Sequence, residues 1–201
     1  MGNGLSLTDP AVRAALEHQH LLTVEDYHRM IAAGIFGEDD RLELLEGVIV
    51  EMSPQRPRHA RIIRRLCDPQ FVAAGPSFVV QAQLPLTLSP DSEPGPDVAV
   101  VAKLVADEAD RRDGHPTTAA LVIEVSGESL RKDRVAKGAT YAGAGIPEYV
   151  IVNPTQDCLE VHRDPDAPGR RYRTVSTLSG SDRFRSTTVS GFAFAVADLL
   201  A

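Results

Sequence analysis

The chain has 201 residues, enough for one full-sized domain with its own core. Hydrophobic residues make up 43 % and charged residues 24 %, as in ordinary soluble globular proteins, and no apolar run approaches the ~18 residues of a membrane-spanning helix. A net charge of −7 and a pI near 5.3 exclude a protein that coats nucleic acid by bulk electrostatics, while leaving room for an enzyme with a local basic strip.

The first twenty residues, MGNGLSLTDPAVRAALEHQH, lack the basic-then-apolar order of a secretory signal, so the expected location is the cytoplasm. TVEDYHRMIAAG (23–34) predicts a helix with Thr23 as N-cap, Asp26 completing a capping box and Gly34 as the stop. RLELLEGVIVEMSP (41–54) reads as a hairpin around Gly47 that Pro54 ends. A helix follows over roughly 57–73, with Ile62, Ile63, Leu66 and Val72 near helical spacing. It begins in RPRHARIIRR (56–65), a strip of five arginines and one histidine without an acid.

SFVVQAQLPLTL (77–88) suits one long strand, with Pro85 marking an edge or bulge. The Pro/Gly/Ser-rich loop SPDSEPGP leads into PDVAVV, a short buried strand whose first polar residue is Asp97. Residues 103–116 read as a charged surface excursion. A second apolar strand, TTAALVIEVS, carries Glu124 near its carboxyl end, and a helix over 129–144 closed by Gly145 precedes the strand PEYVIVN. CLEVHR (158–163) and RRYRTVSTL (170–178) flank a DPDAPG turn, and GFAFAVADLLA predicts a last strand and a short helix. The order of elements gives an α/β fold, a mixed sheet with helices packed on it. Cys67 and Cys158, far apart and outside any CxxC pattern, read as free thiols.

An ionised carboxylate inside an apolar strand is very unfavourable without a partner. If PDVAVV and LVIEVS pair, Asp97 and Glu124 converge at the rim of the sheet, where two carboxylates repel unless a cation neutralises them. A hard divalent ion with oxygen ligands, Mg²⁺ or Mn²⁺, meets that need. On the following helix Asp133, Lys137 and Tyr141 recur every four residues and share a face, so Lys137 can approach the carboxylate pair.

Pro96-Asp97 followed by Glu124-Val125-Ser126 resembles the PD-(D/E)XK nuclease signature, with Ser126 where a lysine is expected. LTVEDY, LELLEGVIVEMSP, His59, EPGPDVAVV, LVIEVS, the Asp133/Lys137/Tyr141 spacing and AGIPEYVIV resemble a bacterial branch of restriction-endonuclease-like proteins whose lysine sits on the next helix. The resemblance covers roughly residues 22–200. It implies a restriction-endonuclease-like domain over 22–201 after an N-terminal extension (1–21), and metal-dependent hydrolysis of DNA phosphodiester bonds. Asp97, Glu124 and the Val125 carbonyl would be metal ligands and Lys137 the displaced catalytic lysine. A homodimer is a further implication, with an edge strand such as CLEVHR mediating pairing.

Glu46, and less so Glu43, is a candidate for an additional acidic group at the metal. His59 is a candidate for phosphate or metal-bound water, and Gln83 for the same site. Arg58, Arg61 and their neighbours Arg56, Arg64 and Arg65 suit phosphate contacts, although a solvated helix face explains them nearly as well. His18 and His20 lack the HExxH order of a zinc hydrolase, and Walker, GxGxxG and GxSxG patterns are missing. The expected function is a Mg²⁺-dependent DNA endonuclease. The alternatives are a catalytically inactive nuclease fold that binds DNA or a protein, and a hydrolase of another phosphate ester.

Overall fold

The two apolar runs that carry Asp97 and Glu124 lie side by side at the centre of a six-stranded mixed sheet. The structure is a computed structural model, and it describes residues 20–37, 39–52 and 56–201. The expected extension over 1–21 falls almost wholly outside the described residues, as do His18 and Pro54.

Helix α1 (Val24–Ala32) begins with the expected capping box: the Asp26 amide donates to Thr23 Oγ1 (3.1 Å) and the Thr23 amide to Asp26 Oδ2 (3.0 Å). Strands β1 (Leu42–Leu45) and β2 (Val48–Glu51) form the predicted hairpin. Its two-residue turn, Glu46-Gly47, has φ of 54° and 76°, the primed-turn geometry that matches strand twist. A Cβ on Gly47 would lie 2.6 Å from Leu21 Cβ, so glycine is required there twice over.

Helix α2 (Pro57–Cys67) buries Ile62, Ile63 and Leu66 and turns its arginines outward, but it ends six residues before the expected 73. Asp68 adopts an extended conformation, and its side chain accepts the Gln70 amide (2.8 Å), a local turn that competes with the helix. Val72 is buried from the loop beyond. Strand β3 (Phe78–Ala82) covers only the first half of the predicted long strand. Gln83 has φ 56° and turns its amide toward the carbonyls of Pro96 and Asp97, which takes the chain out of the sheet; the alternation in QLPLTL reflects a loop that buries Leu86.

Strand β4 (Val98–Ala102) is followed by helix α3 (Lys103–Arg111), where a surface excursion was expected. The charges are helical partners: Lys103 pairs with Asp107 (3.1 Å), and Glu108 with Arg111 (2.6 Å) and Arg112 (3.4 Å), at spacings of three and four. Strand β5 (Leu121–Val125) leads into helix α4, composed of an α turn (Leu130–Lys132), a π-helical segment (Asp133–Lys137) and a further α stretch (Gly138–Gly143). Strands β6 (Glu148–Asn153), β7 (Cys158–Asp166) and β8 (Arg171–Ser179) complete the sheet, and β9 (Arg183–Arg185), β10 (Ala193–Ala195) and α5 (Val196–Leu200) close the chain.

The sheet order is β3-β4-β5-β6-β7-β8, with β5 and β6 parallel and every other neighbour antiparallel. CLEVHR is therefore not an edge: β7 pairs with β6 on one side and β8 on the other, which leaves β3 and β8 as the sheet's edges. Helices α2 and α5 cover one face over Val98, Val100, Ile123 and Val125; α4 covers the other over Ala99, Val101, Val122 and Ile151. Both faces are buried, so the central strands read as unbroken apolar runs. Both cysteines are free. Among the described residues no helix is long and apolar enough to cross a membrane.

Candidate active site

Strand alternation puts the two carboxylates on the same side of the sheet. Asp97 has the parity of Ala99 and Val101, and Glu124 that of Val122, so both point toward α4. The strands bring them together: the Asp97 amide donates to Glu124 Oε2 (3.4 Å) and the Val125 amide to Asp97 Oδ2 (2.8 Å). His59, in the first turn of α2, approaches Asp97 Oδ1 through Nε2 (2.9 Å), and Gln83 Nε2 reaches the same oxygen at 3.5 Å.

The partner that the Glu124 carboxylate needs comes from α4. Lys137 Nζ lies 2.8 Å from Glu124 Oε1, and the Tyr141 hydroxyl donates to the same oxygen at 2.7 Å. Asp133, Lys137 and Tyr141 are all buried, as their spacing predicts, while Val135 between them is exposed. The π-helical segment accommodates this by letting Asp133 turn to the hydroxyls of Ser126 and Ser129 (2.6 Å each) as Lys137 reaches the strands. Ser126 thus does not extend into the site as a lysine there would; it is fully buried and anchors the helix start.

Glu43 is the acidic residue that the hairpin contributes. Its Oε2 contacts Lys137 Nζ (2.9 Å) and accepts the Gly95 amide (3.2 Å), while Oε1 takes Lys132 Nζ (3.0 Å). Glu46, favoured for this place from the sequence, is not brought to the site. It sits in the hairpin turn, 42 % exposed, held by Thr140 Oγ1 (2.9 Å) and Arg170. Alternation ceases to apply in a left-handed turn, so its spacing from Glu43 carried no information about direction. Lys132, off the Asp133/Lys137/Tyr141 face, still reaches the rim because Glu43 and the Glu51 carbonyl (2.9 Å) draw its long side chain inward.

Acids outnumber cations in this buried cluster. For Glu124, burial raises the pKa, Lys137 opposes it, and Asp97, Asp133 and Glu43 raise it again, to about 8. For Asp97, burial also pushes upward, but the His59 hydrogen bond and charge, the Val125 amide and Lys137 outweigh it and hold the carboxyl below its ordinary range. Burial opposes the Lys137 charge, yet Glu124, Glu43 and Asp133 more than compensate and keep the ammonium protonated.

A chamber of about 20 Å³, room for one ion or water, is lined by Glu43, His59, Asp97, Glu124, Lys132 and Lys137. Glu124, which lines it, takes only the long bond from the Asp97 amide on Oε2 among the described residues. Hard oxygen donors, excess negative charge and space for one ion fit a divalent metal. Beside it opens a cleft of about 540 Å³, with His59 and Val125 lining both spaces and Arg56 and Arg58 on its wall.

The basic strip divides by role. Arg65 donates to the carbonyls of Asp198 and Leu199, and Arg58 to Pro154, Asp157 (2.7 Å) and Leu200 (3.3 Å), so both hold neighbouring segments in place. Arg61 is exposed on α2 and does not line the cleft, whereas Arg56 lines it and pairs with exposed Glu128.

A model of the family described as "Uma2: Putative restriction endonuclease" matches residues 24–197. No curated protein matches the chain. Among solved structures, the chain is similar to a crystal structure described as that of "a putative nuclease belonging to DUF820" from Anabaena variabilis ATCC 29413. The TM-score is 0.64 at 14 % identity, over 89 % of this chain and 97 % of that one, a likeness of fold.

Proposed function

The chain belongs to the Uma2 family, a restriction-endonuclease-like branch of the PD-(D/E)XK nucleases, and on that premise we propose that it is an endonuclease that hydrolyses DNA phosphodiester bonds with Mg²⁺ or Mn²⁺. The observation that carries this reading is the pairing of Glu124 and Glu43 with one buried ammonium, Lys137, at a chamber that Asp97 also lines, beside a cleft large enough for a nucleotide backbone.

Asp97 and Glu124 would hold the ion, with the Val125 carbonyl as the further ligand that the family pattern implies. A divalent cation there supplies Lewis acidity and a more acidic bound water. Lys137, charged at neutral pH, is a donor and not a base: it orients the attacking water and stabilises negative charge growing on the phosphoryl oxygens. His59 keeps Asp97 in place and faces the cleft, where it would meet a phosphate together with Arg56, while Arg58 on the same wall braces the segment that carries Pro154 and Asp157. Arg61 extends the contact along the outside of α2. Glu43 holds Lys132 and Lys137 in register.

Residues 22–201 form the catalytic domain in this reading, DNA as substrate implies work in the cytoplasm, and two copies pair through a free sheet edge. Size-exclusion chromatography with light scattering tests the pairing.

Plasmid nicking with Mn²⁺ tests the activity. Wild type should convert supercoiled to open-circular DNA, EDTA should abolish the conversion, and Asp97→Asn and Lys137→Met should each lose it while remaining folded. The satisfied state of Asp97, with His59 and Gln83 on one oxygen and the Val125 amide on the other, favours a second reading, a binding module that has kept the fold. DNA retention by the wild type without metal-dependent nicking would select it.

A further inference from the structure

Three side chains outside the acidic cluster also converge. We propose that His28, Glu93 and His115 form a second metal site, one that takes a borderline transition ion such as Zn²⁺, with water completing its coordination. Their ligand atoms all lie within 4.8 Å of one another, and among the described residues no other group of three His, Cys, Asp or Glu side chains meets that condition. His28 Nε2 is 2.6 Å from Glu93 Oε1, and the His28 and His115 rings stand nearly perpendicular, 82° apart with centroids at 6.2 Å.

The site is built from three segments already joined to one another. The start of α1 is tied down by the Val24 amide on the Pro90 carbonyl (2.8 Å). Glu93 exchanges backbone hydrogen bonds with Leu44 of β1 (2.8 and 3.3 Å), and the loop bearing His115 is held by the Thr87 amide on the Pro116 carbonyl (2.9 Å). Thr87 also donates its hydroxyl to Glu93 Oε2 (2.5 Å), which fixes the carboxylate and leaves Oε1 facing the imidazoles, as an outer partner of a metal ligand does. The backbone carrying the ligands is therefore in place before an ion arrives.

Charge supplies the reason for an ion. Glu93 is 3 % exposed, and among the described residues no lysine or arginine pairs with it; its contacts are one hydroxyl and one imidazole. Two imidazoles and one carboxylate suit Zn²⁺, Co²⁺ or Ni²⁺, whereas Mg²⁺ takes oxygen ligands, so this site and the acidic centre would select different ions. Tetrahedral zinc with bonds of ~2.0–2.1 Å needs ligand atoms about 3.3 Å apart. His28 must retreat slightly from Glu93 and His115 must close in; the His28 side chain is 48 % exposed and free to adjust. The ion takes the place of the hydrogen bond between His28 Nε2 and Glu93 Oε1. It would lock α1 and the His115 loop to the segment EPGPD, which delivers Asp97.

Cobalt titration of the metal-stripped full-length protein tests the site, because four- or five-coordinate Co²⁺ bound to imidazole shows visible d–d absorption. The band should appear in wild type and in the Asp97→Asn/Glu124→Gln double variant, and vanish in His28→Ala and in His115→Ala. After zinc loading and dialysis, elemental analysis should show one equivalent fewer in each histidine variant, and zinc should raise the Tm of wild type but not of His115→Ala. Both histidines are at least partly exposed, so these variants should keep the wild-type far-UV circular dichroism. An unchanged cobalt band in both histidine variants, no band in wild type, or a band lost only in the double variant would each overturn the proposal.

Discussion

Replacing Lys137 by methionine removes one charge from the most heavily buried part of the molecule. The ammonium lies 2.8 Å from Glu124 and 2.9 Å from Glu43, and all three side chains are at most 5 % exposed. Methionine fills a similar volume, so packing changes little and the effect is electrostatic. Breaking a buried pair from one side costs ~3–5 kcal/mol. At roughly 2–4 °C per kcal/mol for a chain of this size, the metal-free variant should melt about 6–20 °C below wild type. The loss must depend on pH. Burial raises the Glu124 pKa above its ordinary 4.5 even with Lys137 present, and removing Lys137 raises it further. A carboxyl raised in the folded state contributes stability that is present below 4.5 and is lost as pH rises through its folded value. The gap between wild type and variant should therefore be smaller at pH 5 than at pH 9 and open as pH rises through about 8, where Glu124 ionises beside Lys137 in the wild type alone, as followed by thermal unfolding in EDTA. Mn²⁺ should restore part of the lost stability by supplying the missing positive charge. Equal melting losses at pH 5 and pH 9, or a loss below about 1 kcal/mol, would refute this electrostatic account.

Three other outcomes follow from the same geometry. Glu43→Gln should impair metal-dependent nicking by tenfold or more and Glu46→Gln should leave it within twofold, because only Glu43 touches Lys137; initial rates on supercoiled plasmid distinguish them. Ser126→Ala should lower stability by ~1.5–3 kcal/mol in urea unfolding, since Asp133 loses one of two hydroxyl donors in a buried place. Ser126→Lys should fail to rescue Lys137→Met in the nicking assay, because side chain 126 points at Asp133 from a fully buried position and not into the cleft.

Local chemistry was legible wherever a residue's role depended on its neighbours in the chain. The capping box of α1, the Gly47 turn, the two central strands and the common face of Asp133, Lys137 and Tyr141 all follow from spacing and side-chain type. Charge density misled over 103–116: the same residues that solvate a loop also pair along a helix, and α3 does the latter. Alternation misled beyond Ala82, because one left-handed residue, Gln83, ended the strand while apolar side chains went on finding a core from the loop.

At the site itself, residue type and spacing already gave the chemical kinds: two carboxylates at the ends of neighbouring apolar strands, and a lysine one helix away. Tertiary structure decided which further groups join them. Glu43 and not Glu46 enters, because β1 is regular at Glu43 and turned left-handed at Glu46. Strand pairing beyond the nearest neighbour made CLEVHR an interior strand. The meeting of His28, Glu93 and His115 has no sequence signature, since their three segments are held together by backbone hydrogen bonds that depend on the folded path and not on side-chain identity.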